Sequence, residues 1–247
     1  MKKSVKMILL PLLLTAAVSS VSAITAEDIV REMDRQQSFS TMKATGSMIT
    51  IDRFGTKKSD YISWSKGDNE FLIEFTSVAE QGQKILRTHN ELYLYYPDAE
   101  DIIRLQGAAL RQSMLGSDIS YEDMTEGNDT LSKYNVELKE DEVVDGKECY
   151  VIDMVAKSRD VAYPRQMVWV VKETMIPEQV HYFSKSGKLL KEMRVDEVME
   201  IGDKVVISRM TLEDKLKKNS STEMIMEEIE TDIPLDNSFF SLENLSW

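Results

Sequence analysis

The 247-residue chain has few of the residues on which most enzymes depend for chemistry. It contains one cysteine, Cys149, and two histidines, His89 and His181, which lie far apart in the sequence. A single cysteine cannot form an internal disulfide, and its strand-like surroundings indicate a small buried thiol. Two isolated histidines lack the close spacing of zinc ligands. We therefore expect no metal, no cofactor and no enzymatic activity.

Motifs for nucleotide binding and hydrolysis are also missing. The ten glycines form neither a Gly-x-Gly-x-x-Gly motif nor a Walker-type Gly-Lys-Ser/Thr run, and no Gly-x-Ser-x-Gly elbow is present. The acidic run at residues 139–142 lacks the regular spacing and the turn glycine of a calcium loop. The acidic run at residues 227–230 alternates as the outer face of a strand would. Both runs are interpreted as solvated surface.

No apolar run is long enough to span a bilayer, but the N-terminus has the pattern of a secretory leader. Three lysines in the first six residues precede an apolar run, Met7–Val18, whereas a transmembrane helix needs roughly 18 or more apolar residues. Val21-Ser22-Ala23 supplies the small-x-small pattern of a signal-peptidase site. We expect a signal peptide over residues 1–23, cleaved after Ala23, and export to the periplasm. No cysteine lies near the cleavage point, so no lipid anchor is expected.

Acidic residues outnumber basic residues by 43 to 30, which gives a net charge of -13 at pH 7. The leader contains three of the basic residues and no acidic residue, so residues 24–247 have a net charge of -16. Such a charge repels nucleic acid and anionic membranes at long range, and neither is an expected partner. No Pro-rich or Gly/Ser-rich linker and no fixed-period repeat divides residues 24–247. We expect one domain, and a monomer.

The order of apolar and turn residues predicts a mainly β protein. Thr25 and Asp28 form a capping-box-like start of one helix that ends near Ser38. From Thr41 onwards, β-rich runs separated by turn residues predict about 11–13 antiparallel strands. Residues 104–126 contain few β-branched residues. We expect two short helices there, the first with Leu110 and Met114 on one face and the second capped by Ser120.

Methionine and aromatic residues recur at every second position of the predicted strands. Methionine is flexible and polarizable, so a surface rich in it can repack around ligands of variable shape, such as acyl chains. A large sheet with few helices can curl into a concave surface with helices across its mouth. The same residues could equally fill an ordinary core, and a one-residue register slip would invert the inward face. The predicted cavity and lid residues are Met42, Met48, Trp64, Phe71, Phe75, Leu110, Met114, Met210, Leu212, Met224 and Met226.

Several segments resemble, in the same order, the LolA-like outer-membrane lipoprotein-sorting proteins of the periplasm. Residues 114–124, Met-Leu-Gly-Ser-Asp-Ile-Ser-Tyr-Glu-Asp-Met, are similar to the Met-x-Gly-Ser-Asp-Phe-Ser-Tyr-Glu-Asp-Leu stretch of one branch of that family. Residues 142–150, Trp169-Val170 and residues 187–191 continue the match. The C-terminal Ile233-Pro234-Leu235 and residues 239–242 also suit the family. Together these motifs extend from residue 114 to residue 242, over more than half of residues 24–247.

The resemblance implies an incomplete, strongly curved antiparallel β-barrel whose apolar inner face is covered by short helices. It also implies a carrier, without a covalent step, that accepts the acyl chains of a lipoprotein from an inner-membrane exporter and passes them to an outer-membrane acceptor. Two alternatives remain open. The same groove could serve a module that detects lipoproteins and signals through a partner, or the chain could be an envelope hydrolase with a site near Ser117, His89 or His181.

Overall fold

The computed structural model describes residues 23–125, 129–159 and 161–245. The predicted signal peptide, except for Ala23, lies outside these residues. The described chain contains three α-helices, which are α1 (Ala26–Gln37), α2 (Thr130–Lys133) and α3 (Leu242–Leu245). Its strands are β1 (Thr41–Asp52), β2 (Gly55–Lys66), β3 (Glu70–Phe75), β4 (Lys84–Thr88), β5 (Glu91–Tyr96), β6 (Asp101–Leu105), β7 (Tyr134–Leu138), β8 (Glu142–Val144), β9 (Lys147–Ala156), β10 (Arg165–Val171), β11 (Pro177–Phe183), β12 (Leu189–Ile201), β13 (Lys204–Asp214) and β14 (Ser221–Thr231).

All of these strands belong to one antiparallel sheet. The order across the sheet is β6-β5-β4-β3-β2-β1-β14-β13-β12-β11-β10-β9-β7, with β8 paired to β9. The sheet is curled and does not close into a barrel, because β6 and β7 remain at its two ends. The predicted class, a mainly β protein with an incomplete antiparallel barrel, is therefore confirmed. The described strands number 14, more than the 11–13 expected, since a three-residue strand such as β8 has too short a pattern to recognise.

Helix α1 begins at the predicted capping box. The Thr25 Oγ1 accepts a hydrogen bond from the Asp28 backbone N–H at 3.1 Å, and the Thr25 N–H donates to the Asp28 carboxylate at 3.3 Å. These bonds satisfy donors that the first turn of a helix leaves free. Ile29 and Val30 are fully buried. The helix ends at Gln37, one residue before the predicted end.

The concave side of the sheet holds two clusters of buried apolar residues. The first includes Met48, Phe75 and Leu92 and lies on the half formed by β1–β5. The second includes Ile29 of α1 and Ile152, and lies on the half formed by β9–β11. Tyr182 and Met193 pack against both clusters. The two halves of the interior are therefore in contact through these two side chains.

The segment between β6 and α2, residues 106–125, is called the cover. Two short helices were predicted here, and the cover contains three, all of the 3-10 type, at Gly107–Arg111, Met114–Gly116 and Asp123–Thr125. Leu115 has a φ of 51° and Gly116 a φ of 84°, a left-handed backbone that ends any helix. The Met114 N–H donates to the Ile119 carbonyl at 2.8 Å, and the Tyr121 N–H to the Gln112 carbonyl at 3.1 Å. The segment thus folds back on itself.

The convex side is closed by the C-terminal segment over one part of its surface. Phe240 and Leu245 are buried against Leu72 and Leu86, and the rings of Trp64 and Phe239 lie 5.5 Å apart. Among the described residues, no helix combines the length and the apolar composition that crossing a bilayer requires. The two faces of the sheet therefore differ, since one is sealed by the chain end and the other faces the cover.

Candidate functional site

An apolar cavity of about 290 Å³ lies under the cover, where the two interior clusters meet. Strands β12, β13 and β14 form one wall, and the cover forms the opposite wall. Only two charged side chains, Asp123 and Lys191, reach its edge. The lining residues are Ile73, Met114, Ile119, Asp123, Met124, Tyr163, Tyr182, Lys191, Met193, Met210, Leu212 and Met224. Five of these are methionines contributed by strands or by the cover, so the walls can adapt to an occupant.

A second volume of about 310 Å³ adjoins the cavity. Ile73 and Met124 line both volumes and separate them. The second volume is bounded further by Met42 and Phe71, with Arg87 and Asp68 at its polar end. Because the partition consists of one strand residue and one residue of the cover, a movement of the cover at Met124 would join the two volumes.

Polar contacts of Asp123 hold the cover to the sheet beside the cavity. Lys191 of β12 donates from its Nζ to the Asp123 Oδ2 at 2.6 Å, and Tyr163 donates its phenolic hydrogen to the Asp123 Oδ1. The Ser120 N–H also donates to the Asp123 Oδ2 at 2.7 Å, and the Asp123 N–H donates to the Ser120 Oγ at 3.3 Å. Ser120 therefore does cap a short helix, as predicted. Lys191 is only 8% exposed, so the ion pair is poorly screened by water.

A second tether fixes the cover at Asp118, a carboxylate that is 1% exposed. Ser220 and Thr222 donate from their hydroxyls to this carboxylate at 2.8 and 2.9 Å. The Asp118 N–H donates to the Thr222 Oγ1 at 2.8 Å, and Lys217 Nζ lies 3.6 Å from the carboxylate. A buried charge that is fully hydrogen-bonded is tolerated in a protein interior. Asp118 thus anchors the cover to the β13–β14 hairpin.

The phenols around the site are neutral hydrogen-bonding groups at any physiological pH. Burial, together with the neighbouring Asp123 carboxylate, raises the pKa of Tyr163 far above its usual value. Burial also raises the pKa of Tyr121. Burial raises the pKa of Tyr61 to about 12, and the Tyr61 hydroxyl donates to the Ile225 carbonyl at 3.2 Å. Each desolvated ring therefore contributes an apolar surface, and its hydroxyl is directed to a fixed acceptor.

The structure brings only part of the predicted set into the cavity wall. The cavity is lined by Met114, Met210, Leu212 and Met224. The adjoining volume is lined by Met42, Trp64 and Phe71, although the Trp64 ring also packs on Phe239 at the convex side. Three further residues, Met48, Phe75 and Leu110, belong to the packed cluster beside the cavity. Met226 shares the strand face of Met224 but lines neither volume.

Sequence reasoning missed the residues that close the site. Asp123 lies in the segment that carries the resemblance, but its partner Lys191 is 68 residues away. Tyr163 follows a loop with no strand pattern, and Met193 lies on a long strand in which 6 of the 13 residues are charged. On β12 the sequence signal was a methionine two positions after a lysine, Lys191 and Met193, which places both side chains on the same face of the strand.

The residues considered for catalysis lie apart from the cavity. Cys149 is buried, and burial raises the pKa of its thiol. His181 packs its ring 4.7 Å from that of Trp169, and burial lowers its pKa. Ser117 is buried and donates its hydroxyl hydrogen to the Ile119 carbonyl at 3.3 Å. Within residues 23–125, 129–159 and 161–245, no group of three His, Cys, Asp or Glu side chains is arranged to hold a metal.

The protein is a curved, incomplete antiparallel barrel with an apolar cavity under a short cover. Residues 67–247, more than half of the chain, match the model of a family whose members are described as uncharacterized proteins, and the chain belongs to that family. No curated protein matches the chain in sequence.

Three solved structures have the same fold. A DUF1329 family protein from Desulfovibrio piger superposes with a TM-score of 0.83 at 23% identity, over 89% of this chain and 97% of its own. An outer membrane lipoprotein-sorting protein domain from Vibrio parahaemolyticus gives 0.81 at 21%, over 90% and 98%. A LolA superfamily protein from Nitrosomonas europaea gives 0.74 at 24%, over 90% and 100%. At these identities the likeness concerns the fold, which is LolA-like.

Proposed function

We propose that the protein is a periplasmic carrier that binds the acyl chains of lipoproteins or lipids in the cavity under its cover and passes them toward the outer membrane. The observation that carries the proposal is the empty apolar volume at the junction of the two interior clusters, divided from a second volume only by Ile73 and Met124. The descriptions of two proteins with the same fold, a lipoprotein-sorting domain and a LolA superfamily protein, support it.

The energetics of the cavity suit reversible loading without a covalent step. Removing an acyl chain from water is favourable by about 0.8 kcal/mol per methylene. The walls contribute apolar side chains and phenol rings, and the one buried charge pair at the edge already satisfies itself through Lys191 and Asp123. The cavity therefore favours apolar ligands and has no unpaired charge to neutralise a buried charged head group. An exporter at the inner membrane and an acceptor at the outer membrane would supply and remove the cargo, with no nucleotide bound by the carrier.

The cover controls access in this proposal. Met114 and Ile119 are buried against the sheet while Asp118 and Asp123 fix the segment by side-chain contacts. Breaking the Asp123 contacts would free the 3-10 helix Asp123–Thr125, including Met124 in the partition between the two volumes. An opened cover would then offer one larger apolar surface, as a lipoprotein with several acyl chains requires.

Replacement of one cavity methionine tests the proposal. Met224→Asp places a carboxylate in the cavity wall, whereas Met167→Asp makes the same change in a cluster outside it that contains Trp169. The protein is purified without detergent, examined by native mass spectrometry for bound amphiphiles, and titrated with a fluorescent fatty acid. We expect bound amphiphile and saturable titration for the unsubstituted protein and for Met167→Asp, and a loss of at least about tenfold in affinity for Met224→Asp. A protein that neither retains an amphiphile nor binds the fatty acid would refute the carrier function.

A further inference from the structure

Four connections lie side by side at one end of the sheet. Ile51 pairs with Ser221, which places the β1–β2 turn beside the β13–β14 turn. Lys191 pairs with Asp214, and Phe183 pairs with both Leu189 and Arg165, which adds the β11–β12 turn and the β9–β10 connection. These four connections, together with the strand residues that border them, are called the basic rim and comprise residues 52–58, 157–165, 184–188 and 214–220.

The charge of the basic rim is opposite to that of the protein. Its four segments contain 11 basic and 3 acidic residues, although acidic residues outnumber basic residues by 43 to 30 in the chain. Toward the opposite end of the same strands, residues 196–203 and 227–232 contain 8 acidic residues and no basic residue. The fold therefore separates charge along the strand direction, and within a Debye length of about 8–10 Å a surface that approaches the basic rim meets local positive charge and not the net negative charge of the protein.

Much of this positive charge has no carboxylate partner among the described residues, although Lys157 donates to the Leu131 carbonyl and Arg53 lies 4.5 Å over the Phe54 ring. Some basic side chains of the basic rim have carboxylate partners, such as Lys57 with Glu80 at 2.8 Å and Lys217 with Asp118 at 3.6 Å. Six others are exposed and form no ion pair within the described part of the chain. These are Arg53, Lys157, Arg159, Lys185, Lys188 and Lys218.

Large apolar side chains project from the same end without a covering segment. Phe54, at the tip of the β1–β2 turn, is 82% exposed, and Leu216, in the β13–β14 turn, is 58% exposed. Val155, where β9 ends, is 47% exposed. They stand singly on separate connections among lysines and arginines, and do not form the contiguous apolar patch typical of a protein interface core. Isolated apolar tips surrounded by basic residues suit the boundary of a bilayer, in which acyl chains lie below phosphates.

We propose that the basic rim is a docking surface for the anionic phospholipid surface of a membrane. Phe54 and Leu216 enter the interface between head groups and acyl chains, and the basic side chains contact lipid phosphates. The cover lies at this same end, because Lys57 and Lys217 donate to the carbonyls of Leu115 and Gly116, both at 3.4 Å. Docking therefore brings the cover against the membrane, and lipid phosphates compete for two lysines that tether it. This surface is additional to the proposed carrier function and does not depend on bound cargo.

Vesicle flotation tests the proposal with charge variants matched in net charge. The full chain is expressed in a Gram-negative host, the protein is taken from the soluble fraction, and mass spectrometry establishes its N-terminus. Vesicles contain phosphatidylethanolamine with phosphatidylglycerol, or phosphatidylcholine alone. The rim variant is Lys185→Glu, Lys188→Glu and Lys218→Glu. The control variant is Arg31→Glu, Lys139→Glu and Lys172→Glu, whose positions lie outside the basic rim.

We expect binding to the anionic vesicles that weakens with added salt, a loss of roughly a hundredfold in partitioning for the rim variant, and little change for the control variant. Phe54→Ser with Leu216→Ser should also weaken binding, whereas Val143→Ser, an exposed valine on β8, should not. Equal losses in the rim and control variants would overturn the proposal, and so would equal binding to both kinds of vesicle. Absence of any vesicle binding would overturn it too and favour an acidic protein as the partner. Fatty-acid titration of the same samples reports the cavity separately.

Discussion

At the scale of single residues, Gly46 leaves space on the concave face for the large side chain of Tyr61. A Cβ at this position would lie 2.1 Å from the Ile225 carbonyl oxygen and 2.8 Å from the Tyr61 hydroxyl oxygen. Tyr61 pairs with Gly46 across β1 and β2, and its ring lies over the glycine to reach β14. The glycine is needed here for space, since its φ is not in the left-handed region.

Gly46→Ala should therefore destabilise the protein. Overpacking of a filled interior costs about 1–3 kcal/mol, and displacement of Tyr61 would also break its bond to the Ile225 carbonyl. The free energy of unfolding, measured by urea titration, is the readout. Gly146→Ala is the comparison, because a Cβ there meets no atom within 4 Å and only the left-handed backbone opposes it, at about 1 kcal/mol. A smaller loss for Gly46→Ala than for Gly146→Ala would contradict this account.

Single residues also show how far the sequence could predict the site. The period-two pattern paired Met210 with Leu212 and Met224 with Met226, and Met210, Leu212 and Met224 line the cavity, since alternation along a strand is local. Trp64 has the same pattern, but its ring contacts Phe239, far along the chain in the C-terminal segment. The Asp123–Lys191 pair likewise depends on how the cover meets β12. No local pattern encodes such long-range contacts.

At the scale of elements, the cover is held by side-chain contacts more than by its own secondary structure. A run rich in alanine and leucine predicts helix, yet Gly107 and Gly116 with φ values of 58° and 84° interrupt it, and the segment instead closes through backbone bonds such as Glu122 N–H to the Leu110 carbonyl at 2.6 Å. Propensity is a weak prior when a segment must conform to a surface. The strands, by contrast, were predictable because their alternation and turns are local.

Asp123→Ala should loosen the cover selectively. The change removes the acceptor for Tyr163 and Lys191 and leaves the lysine buried without its counter-charge, at a cost of about 3 kcal/mol. Hydrogen exchange should accelerate in residues 106–125 before the strands are affected, and release of a bound fatty acid should be faster. The second substitution Lys191→Met removes the unpaired charge and should restore part of the stability, but not the slow release.

The comparison for this change is Asp153→Ala, which breaks the ion pair with Arg165 at 2.8 Å on adjacent strands. It should lower the stability only slightly, since the Arg165 side chain is 44% exposed, and should leave exchange in the cover unchanged. Equal exchange rates in the covers of Asp123→Ala and the unsubstituted protein would show that the Asp123 contacts do not hold the segment.

At the scale of the whole molecule, the fold determines where the charged residues lie, whereas composition gives only their sum. The total charge of the chain predicted repulsion from anionic surfaces, but the meander gathers the connections with 11 basic residues at one end. Alternate hairpin turns of an antiparallel sheet point in opposite directions, so charges alternating along the sequence become separated in space. The positions of these charges in space follow from the strand order, which local sequence patterns do not predict.

The same continuity of the sheet predicts one cooperative unfolding transition for residues 24–247. β1 and β14 join the two halves through a long ladder from Met42–Thr231 to Ile51–Ser221, and Tyr182 and Met193 belong to the contacts of both interior clusters. Neither half therefore has a core that is independent of the other, as separate domains would have.

Two single-tryptophan reporters can measure this coupling, since Trp64 lies on β2 and Trp169 lies on β10, in opposite halves of the sheet. Both proteins carry Trp247→Phe. The further change Trp64→Phe leaves Trp169 as the reporter, and the change Trp169→Phe leaves Trp64. The fluorescence of each protein is compared with circular dichroism of the same sample. The two probes should give one midpoint for each protein. Phe240→Ala, which empties a position buried at the convex side, should lower both midpoints together, at a cost of about 3–5 kcal/mol. A midpoint that shifts only for Trp64 would mean that the halves unfold separately, because Phe240 packs in the cluster beside Trp64 and not in that of Trp169.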